Sequence, residues 1–138
     1  MKKLFFLLII SGIATLIAWK AHDRDFRVEG AGAEANPTSY TGACPGLIKF
    51  SGKIQASGAG RVKYTWLRND GATGPVEYVD FTEAGVKLIS TTWTLGDAVA
   101  LPHYVGWEQI KILSPNDMLS NKANFKLTCT QKKKPSKN

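Results

Sequence analysis

Leu47-Ile48-Lys49-Phe50-Ser51-Gly52-Lys53-Ile54-Gln55 alternates residue by residue: Ile48, Phe50, Gly52 and Ile54 share one face of an extended chain, while Lys49, Ser51, Lys53 and Gln55 share the other. Side chains of a strand point to opposite faces in turn, so a period of two describes a half-buried strand. Downstream, Ser57-Gly58-Ala59-Gly60 supplies a turn, and Val62, Tyr64 and Trp66 then alternate with Lys63 and Thr65 in a second strand that ends at Asn69-Asp70-Gly71. A loop through Gly74-Pro75 leads to a third strand, Val76 to Phe81, and Ala84-Gly85 separates it from a fourth, Val86 to Leu95. Gly96 to Pro102 reads as a loop and Tyr104 to Leu113 as a fifth strand. After a Ser114-Pro115-Asn116-Asp117 turn, Ala123, Phe125, Leu127 and Cys129 alternate in the last one. No helical period of useful length follows the N-terminal leader. Six or seven short strands separated by frequent turns describe an all-β sandwich or small barrel. In two strands the apolar parity switches, from Val86 and Leu88 to Ile89, Trp93 and Leu95, and from Val105 and Trp107 to Ile110 and Ile112. A bulge, or burial on both faces, would each produce such a switch.

Upstream of this region, Lys2 and Lys3 precede a mostly apolar run of sixteen residues, Leu4 to Trp19, after which charge returns at Lys20, Asp23, Arg24 and Asp25. The run is shorter than the roughly 20 residues that span a bilayer, which favours an export signal over a membrane span. Leu16-Ile17-Ala18 and Trp19-Lys20-Ala21 offer only imperfect cleavage sites, so residues 1–21 are read as a signal peptide or an uncleaved signal anchor forming an apolar leader helix. The first cysteine, Cys44, lies too far along for lipid anchoring. Residues 22–43 mix polar residues, Gly, Ala and Pro without an apolar period and are expected to be a flexible spacer. Residues 44–130 are the expected folded domain, and 131–138 a basic disordered tail.

Two cysteines flanking a small exported domain read as one disulfide, Cys44 to Cys129, in a periplasm or outside the cell. A domain of this size buries a modest share of its surface, so a covalent clasp is valuable. The net charge of +7 suggests nucleic acid until it is located along the chain. Between Cys44 and Cys129 there are nine Lys/Arg against seven Asp/Glu, and the excess sits in Lys2, Lys3, Lys132, Lys133, Lys134 and Lys137. Nucleic-acid binding by the domain is therefore not expected. The terminal lysines suit a weak, salt-sensitive contact with anionic surfaces.

Val62-Lys63-Tyr64-Thr65-Trp66-Leu67-Arg68-Asn69-Asp70-Gly71, Thr91-Thr92-Trp93-Thr94-Leu95, Leu113-Ser114-Pro115-Asn116 and Ser120 to Cys129 together resemble a group of small exported bacterial immunoglobulin-like domains. The resemblance covers residues 44–130 and implies an immunoglobulin-like β-sandwich of six to seven antiparallel strands. In it the Tyr-x-Trp strand is central, making Trp66 a core residue along with Tyr64, Phe50 and Phe125. The cysteines bracket the whole domain here instead of linking two central strands over the Trp, which departs from antibody-type domains.

Chemistry has few candidates. His103, in Leu101-Pro102-His103-Tyr104, is the one histidine of the domain, and no serine or cysteine signature accompanies it. Asp70, Glu77, Asp80, Glu83, Asp97, Glu108 and Asp117 are scattered singly, and the loop acids Asp70 and Asp97 fall short of a calcium ligand set. Gly58-Ala59-Gly60 lacks the helix that a phosphate cradle needs. No catalytic residue, metal or cofactor is assigned. Trp93 and Trp107 are the candidates for ligand or partner contact, since an exposed Trp can stack on a sugar ring or an apolar surface. The expectation is a non-catalytic binding module of the cell envelope or exterior. An envelope or extracellular protein is the expected partner, engaged by a sandwich face or an unpaired edge strand. A carbohydrate-binding module using an exposed Trp is the alternative, and a small hydrolase a more distant one.

Overall fold

A computed structural model describes residues 25–131. The leader helix, the imperfect cleavage sites and the lysines of the tail lie outside the described residues.

The alternating Leu47–Gln55 stretch becomes the centre of a three-stranded antiparallel sheet. β3 (Gly46–Ala56) buries Gly46, Ile48, Phe50, Gly52, Ile54 and Ala56 and exposes every residue between them. Its partner β6 (Gly85–Leu95) runs beside it in unbroken register from Gly46↔Leu95 to Ala56↔Gly85. On the other side lies β1 (Val28–Asn36), antiparallel, with one register shift between Val28 and Gly30.

The second sheet has the order β2-β9-β7-β4-β5. Its members are β2 (Ser39–Gly42), β4 (Gly60–Arg68), β5 (Glu77–Phe81), β7 (His103–Ser114) and β9 (Ala123–Cys129). The two-residue β8 (Met118–Leu119) pairs with β7 at Lys111 and Ile112. The two inner faces enclose Ile48, Phe50 and Ile54 from one sheet and Val62, Ile110, Ile112, Phe125 and Leu127 from the other, all nearly inaccessible to water. Each such side chain contributes roughly 1.5–3 kcal/mol of burial free energy. Tyr64 and Trp66 join this core, with Phe50 tilted against Trp66 and edge-on to Phe125.

Three expectations are corrected. Residues 28–42 are not spacer but form β1 and β2, so the folded domain starts well before Cys44. Ala and Gly dominate β1, and small residues give no apolar period to read. What selects the strand is the free edge of β3, which it pairs through eight positions. Secondly, the described residues hold nine strands, not six or seven, and they are not all antiparallel: β2 runs parallel to β9, from Ser39↔Lys126 to Gly42↔Cys129. Thirdly, the apolar parity switches in β6 and in the Val105–Ile112 stretch are not bulges. Ile89, Trp93 and Leu95 face the core in one continuous register, while Val86 and Leu88 point into solvent. In β7 likewise, Gly106, Glu108, Ile110 and Ile112 face inward, and Val105 and Trp107 outward.

Cys44 and Cys129 are bonded, with Cα atoms 5.4 Å apart. The bond fastens the segment after β2 to the end of β9. Gly96 passes over it: a Cβ at that position would stand 2.8 Å from the Cys44 sulfur and 3.0 Å from that of Cys129. With φ at +96°, this backbone also favours glycine on conformational grounds. Ten Lys/Arg and ten Asp/Glu fall between residues 25 and 131, so the described domain carries no net formal charge.

Candidate functional site

A sandwich of two open sheets has four edges, and here they are treated differently. Along β1 two asparagine side chains stand in for a neighbouring strand. Asn116 accepts the Val28 N–H (2.7 Å) through Oδ1 and donates to the Val28 carbonyl (3.0 Å) through Nδ2. Asn121 does the same at Ala33, at 2.9 and 2.8 Å. Each amide offers one donor and one acceptor, the complement of a peptide group, so these positions of β1 are satisfied. Because β1 also packs against β7, β8 and β9, the sandwich is partly barrel-like on this side.

The opposite side is open. β5 ends the larger sheet and β6 the smaller one, so both edges present unpaired backbone groups to solvent. Around them lie exposed apolar side chains: Val76 just before β5 and Tyr78 on it, with Val86 and Leu88 on β6, Leu88 being 76 % exposed. A depression of about 750 Å³ reaches here, lined among others by Ser51, Gly52, Tyr64, Val79, Leu88 and Ile89. The Tyr64 hydroxyl donates to Glu77 Oε2 (2.6 Å). Burial first, and the nearby carboxylate second, hold the phenol well above its ordinary pKa, so it stays a donor. Arg61 grips Asp80 with two hydrogen bonds (2.6 and 3.0 Å) and lies over the Tyr78 ring. Lys87, the one charge on β6, lies over Phe81.

Of the two tryptophans singled out from the sequence, Trp93 is 8 % exposed. It meets Tyr104 and Phe125 edge-on and carries the Arg68 guanidinium 4.2 Å above its ring. A ring enclosed in this way is no platform. Trp107 is half-buried on the outer face of β7, with Lys122 Nζ 4.4 Å from its ring centroid. The two rings therefore lie on opposite faces of different sheets and do not form one site.

His103 is exposed at the start of β7. Two of the scattered acids have local duties: Asp97 caps its own loop through the Ala100 and Val99 amides, which holds its carboxyl below the usual range, and Asp117 is paired with Lys111. Among the described residues no group of three or more His, Cys, Asp or Glu could hold a metal ion. One acid differs. Glu108 faces inward, 2 % exposed, and its Oε2 has no hydrogen-bond partner. Burial pushes its pKa up to about 7, against the pull of Arg68 and with the help of Asp70. The signal was present in the parity of Gly106, Glu108, Ile110 and Ile112, where a carboxylate occupies a core position.

No family model matches the chain, and no curated protein matches it. Solved structures resemble it in fold. The CARDB domain of the PF1109 protein from Pyrococcus furiosus, described in complex with di-metal ions, superposes with a TM-score of 0.54 at 12 % identity. That likeness covers 72 % of this chain and 94 % of that domain. A β-glucosidase, EmGH1, from Erythrobacter marinus gives a TM-score of 0.55 at 12 % identity over 75 % of this chain, which spans only 15 % of that enzyme. At such identity the likeness is one of fold, that of a small CARDB-type β-sandwich.

Proposed function

We propose that this chain is an exported, non-catalytic interaction module of immunoglobulin-like type, and that it binds an extended segment of an envelope or extracellular protein along its open β5–β6 side. The observation that carries the reading is the asymmetry of the edges. Asn116 and Asn121 satisfy the backbone of β1 at Val28 and Ala33, whereas β6 offers eleven residues in regular register with an unpaired outer edge and exposed Val86 and Leu88 beside it. Adding a strand to such an edge gives affinity through main-chain hydrogen bonds, and alternate side chains give specificity. Export is supported by the apolar leader in the sequence and by a disulfide of a kind that persists in oxidising compartments.

A photo-reactive amino acid placed at Leu88, with a second placed at Val105 on the outer face of the other sheet, tests this in intact cells. Val105 is 69 % exposed, so reactivity alone does not separate the two positions. A discrete adduct from position 88 and none from 105 is the expected result. Equal labelling from both, or labelling from 105 alone, refutes the assignment of the face. The glycan alternative rests on Trp107, whose ring is already under Lys122. It predicts a glycan-dependent change in Trp107 fluorescence that Lys122→Ala enhances.

A further inference from the structure

Arg68 and Glu108 are register partners on neighbouring strands, so their side chains leave the same face at the same level. Opposite charges in that relation ordinarily pair. Here the guanidinium instead turns to Asp70, to which Nε and Nη2 donate at 3.1 and 2.5 Å, and rests on Trp93. Asp70 in turn accepts the Ala72 N–H (3.0 Å), while the Arg68 N–H donates to the Ala72 carbonyl and the Gly71 N–H to the Arg68 carbonyl. The β4–β5 turn is thus fastened through Asp70, and Glu108 Oε2 is left buried without a partner.

We propose that Arg68 is a two-position arm, held by Asp70 while Glu108 is protonated and drawn onto Glu108 when its proton leaves, so that the Asp70–Ala72 turn loosens as pH rises. A neutral carboxyl tolerates the apolar interior, whereas a buried carboxylate without a partner is costly, and Arg68 is the cation within reach. The charged groups acting on Glu108 are Arg68 and Asp70, and the Tyr104 phenol also faces Arg68. Asn69 anchors the turn independently, accepting the Trp107 N–H and donating to the Tyr104 hydroxyl, which confines the movement to the residues after it. The midpoint of the transition falls near pH 7, where Glu108 titrates.

Amide NMR of the folded chain between pH 5 and 9, in a His103→Gln background that removes the one histidine among the described residues, reads the turn directly. The Ala72 and Gly71 amides are expected to shift with one midpoint, shared with the side-chain carboxyl carbon of Glu108. Glu108→Gln abolishes that midpoint. Asp70→Asn, which both removes a charge that raises the Glu108 pKa and releases the arm toward it, lowers the Glu108 midpoint by ~1 pH unit or more. An Ala72 amide that stays flat while the wild-type Glu108 carboxyl titrates overturns the proposal even if the Gln variant does not fold. So does an Asp70→Asn protein in which Glu108 titrates as before.

Discussion

Replacing Glu108 with Gln should make the domain more stable at alkaline pH and leave it nearly unchanged in acid. The ordinary glutamate pKa is 4.5, and in the folded protein burial raises it to about 7. Between those values the folded form keeps a proton that the unfolded chain has released, so folding is favoured at the acid end and the contribution is lost as pH rises through 7. The gap corresponds to ~3 kcal/mol above pH 8, since each pKa unit is worth about 1.4 kcal/mol. Gln keeps the shape and polarity of the side chain but has no charge to bury. Urea denaturation at pH 5 and at pH 8.5 reads the difference. The wild type is expected to lose stability between the two, and Glu108→Gln to keep most of it. The surface pairs act in another window: Asp70 and Asp80 are held below their usual range by Arg68 and Arg61, so what they contribute is lost only as pH falls through the folded value, below about 4. Equal wild-type stability at both pH values, or a Gln variant destabilised equally at both, refutes the reasoning.

Reducing the Cys44–Cys129 bond, or replacing Cys129 with Ser in a Cys44→Ser background, should cost ~4–5 kcal/mol in the chain-entropy model, because the bridge spans 85 positions. For a domain of this size that corresponds to a fall in Tm of ~20 °C or more, measured by circular dichroism with and without reductant. Gly96→Ala should cost ~2 kcal/mol, because the added methyl meets both sulfurs and Leu127 at a positive φ, and part of that cost should vanish in the cysteine-free protein. Asn121→Ala should destabilise by ~1–3 kcal/mol by stripping two partners from the Ala33 backbone. Hydrogen exchange should show the loss at the Ala33 amide first.

The period-two strands were legible because their cores are built from large side chains at alternate positions. Ile48, Phe50 and Ile54 in β3, and Phe125 and Leu127 in β9, could be placed on an inner face from the sequence alone. β1 was not legible for the converse reason: Val28-Glu29-Gly30-Ala31-Gly32-Ala33-Glu34-Ala35-Asn36 has almost no volume to pattern, and in isolation its composition is that of a linker. What makes it a strand is non-local, an unpaired edge on β3 and two asparagines that arrive 88 residues later. Reading Val86 and Leu88 as a parity switch erred in the same way, by assuming that every large apolar residue of a strand belongs to a core.

The exposure of Val86 and Leu88 bears on function. An apolar residue on the solvent face of an interior strand is commonplace, whereas Val86 and Leu88 sit on a strand whose neighbour is missing. Natural sheets usually blunt such an edge with charge, proline or a bulge, and β6 has a single lysine, no proline and no break in register. The same chain covers its β1 edge at Val28 and Ala33 with asparagine side chains, a protection that β6 lacks. If the open edge were merely tolerated, Val86→Lys with Leu88→Lys should leave stability within ~0.5 kcal/mol and improve solubility without loss of any partner. If it is a contact, a photo-reactive amino acid placed at Ser90 of the same strand forms an adduct in the wild-type background, and the double variant keeps its fold and loses that adduct.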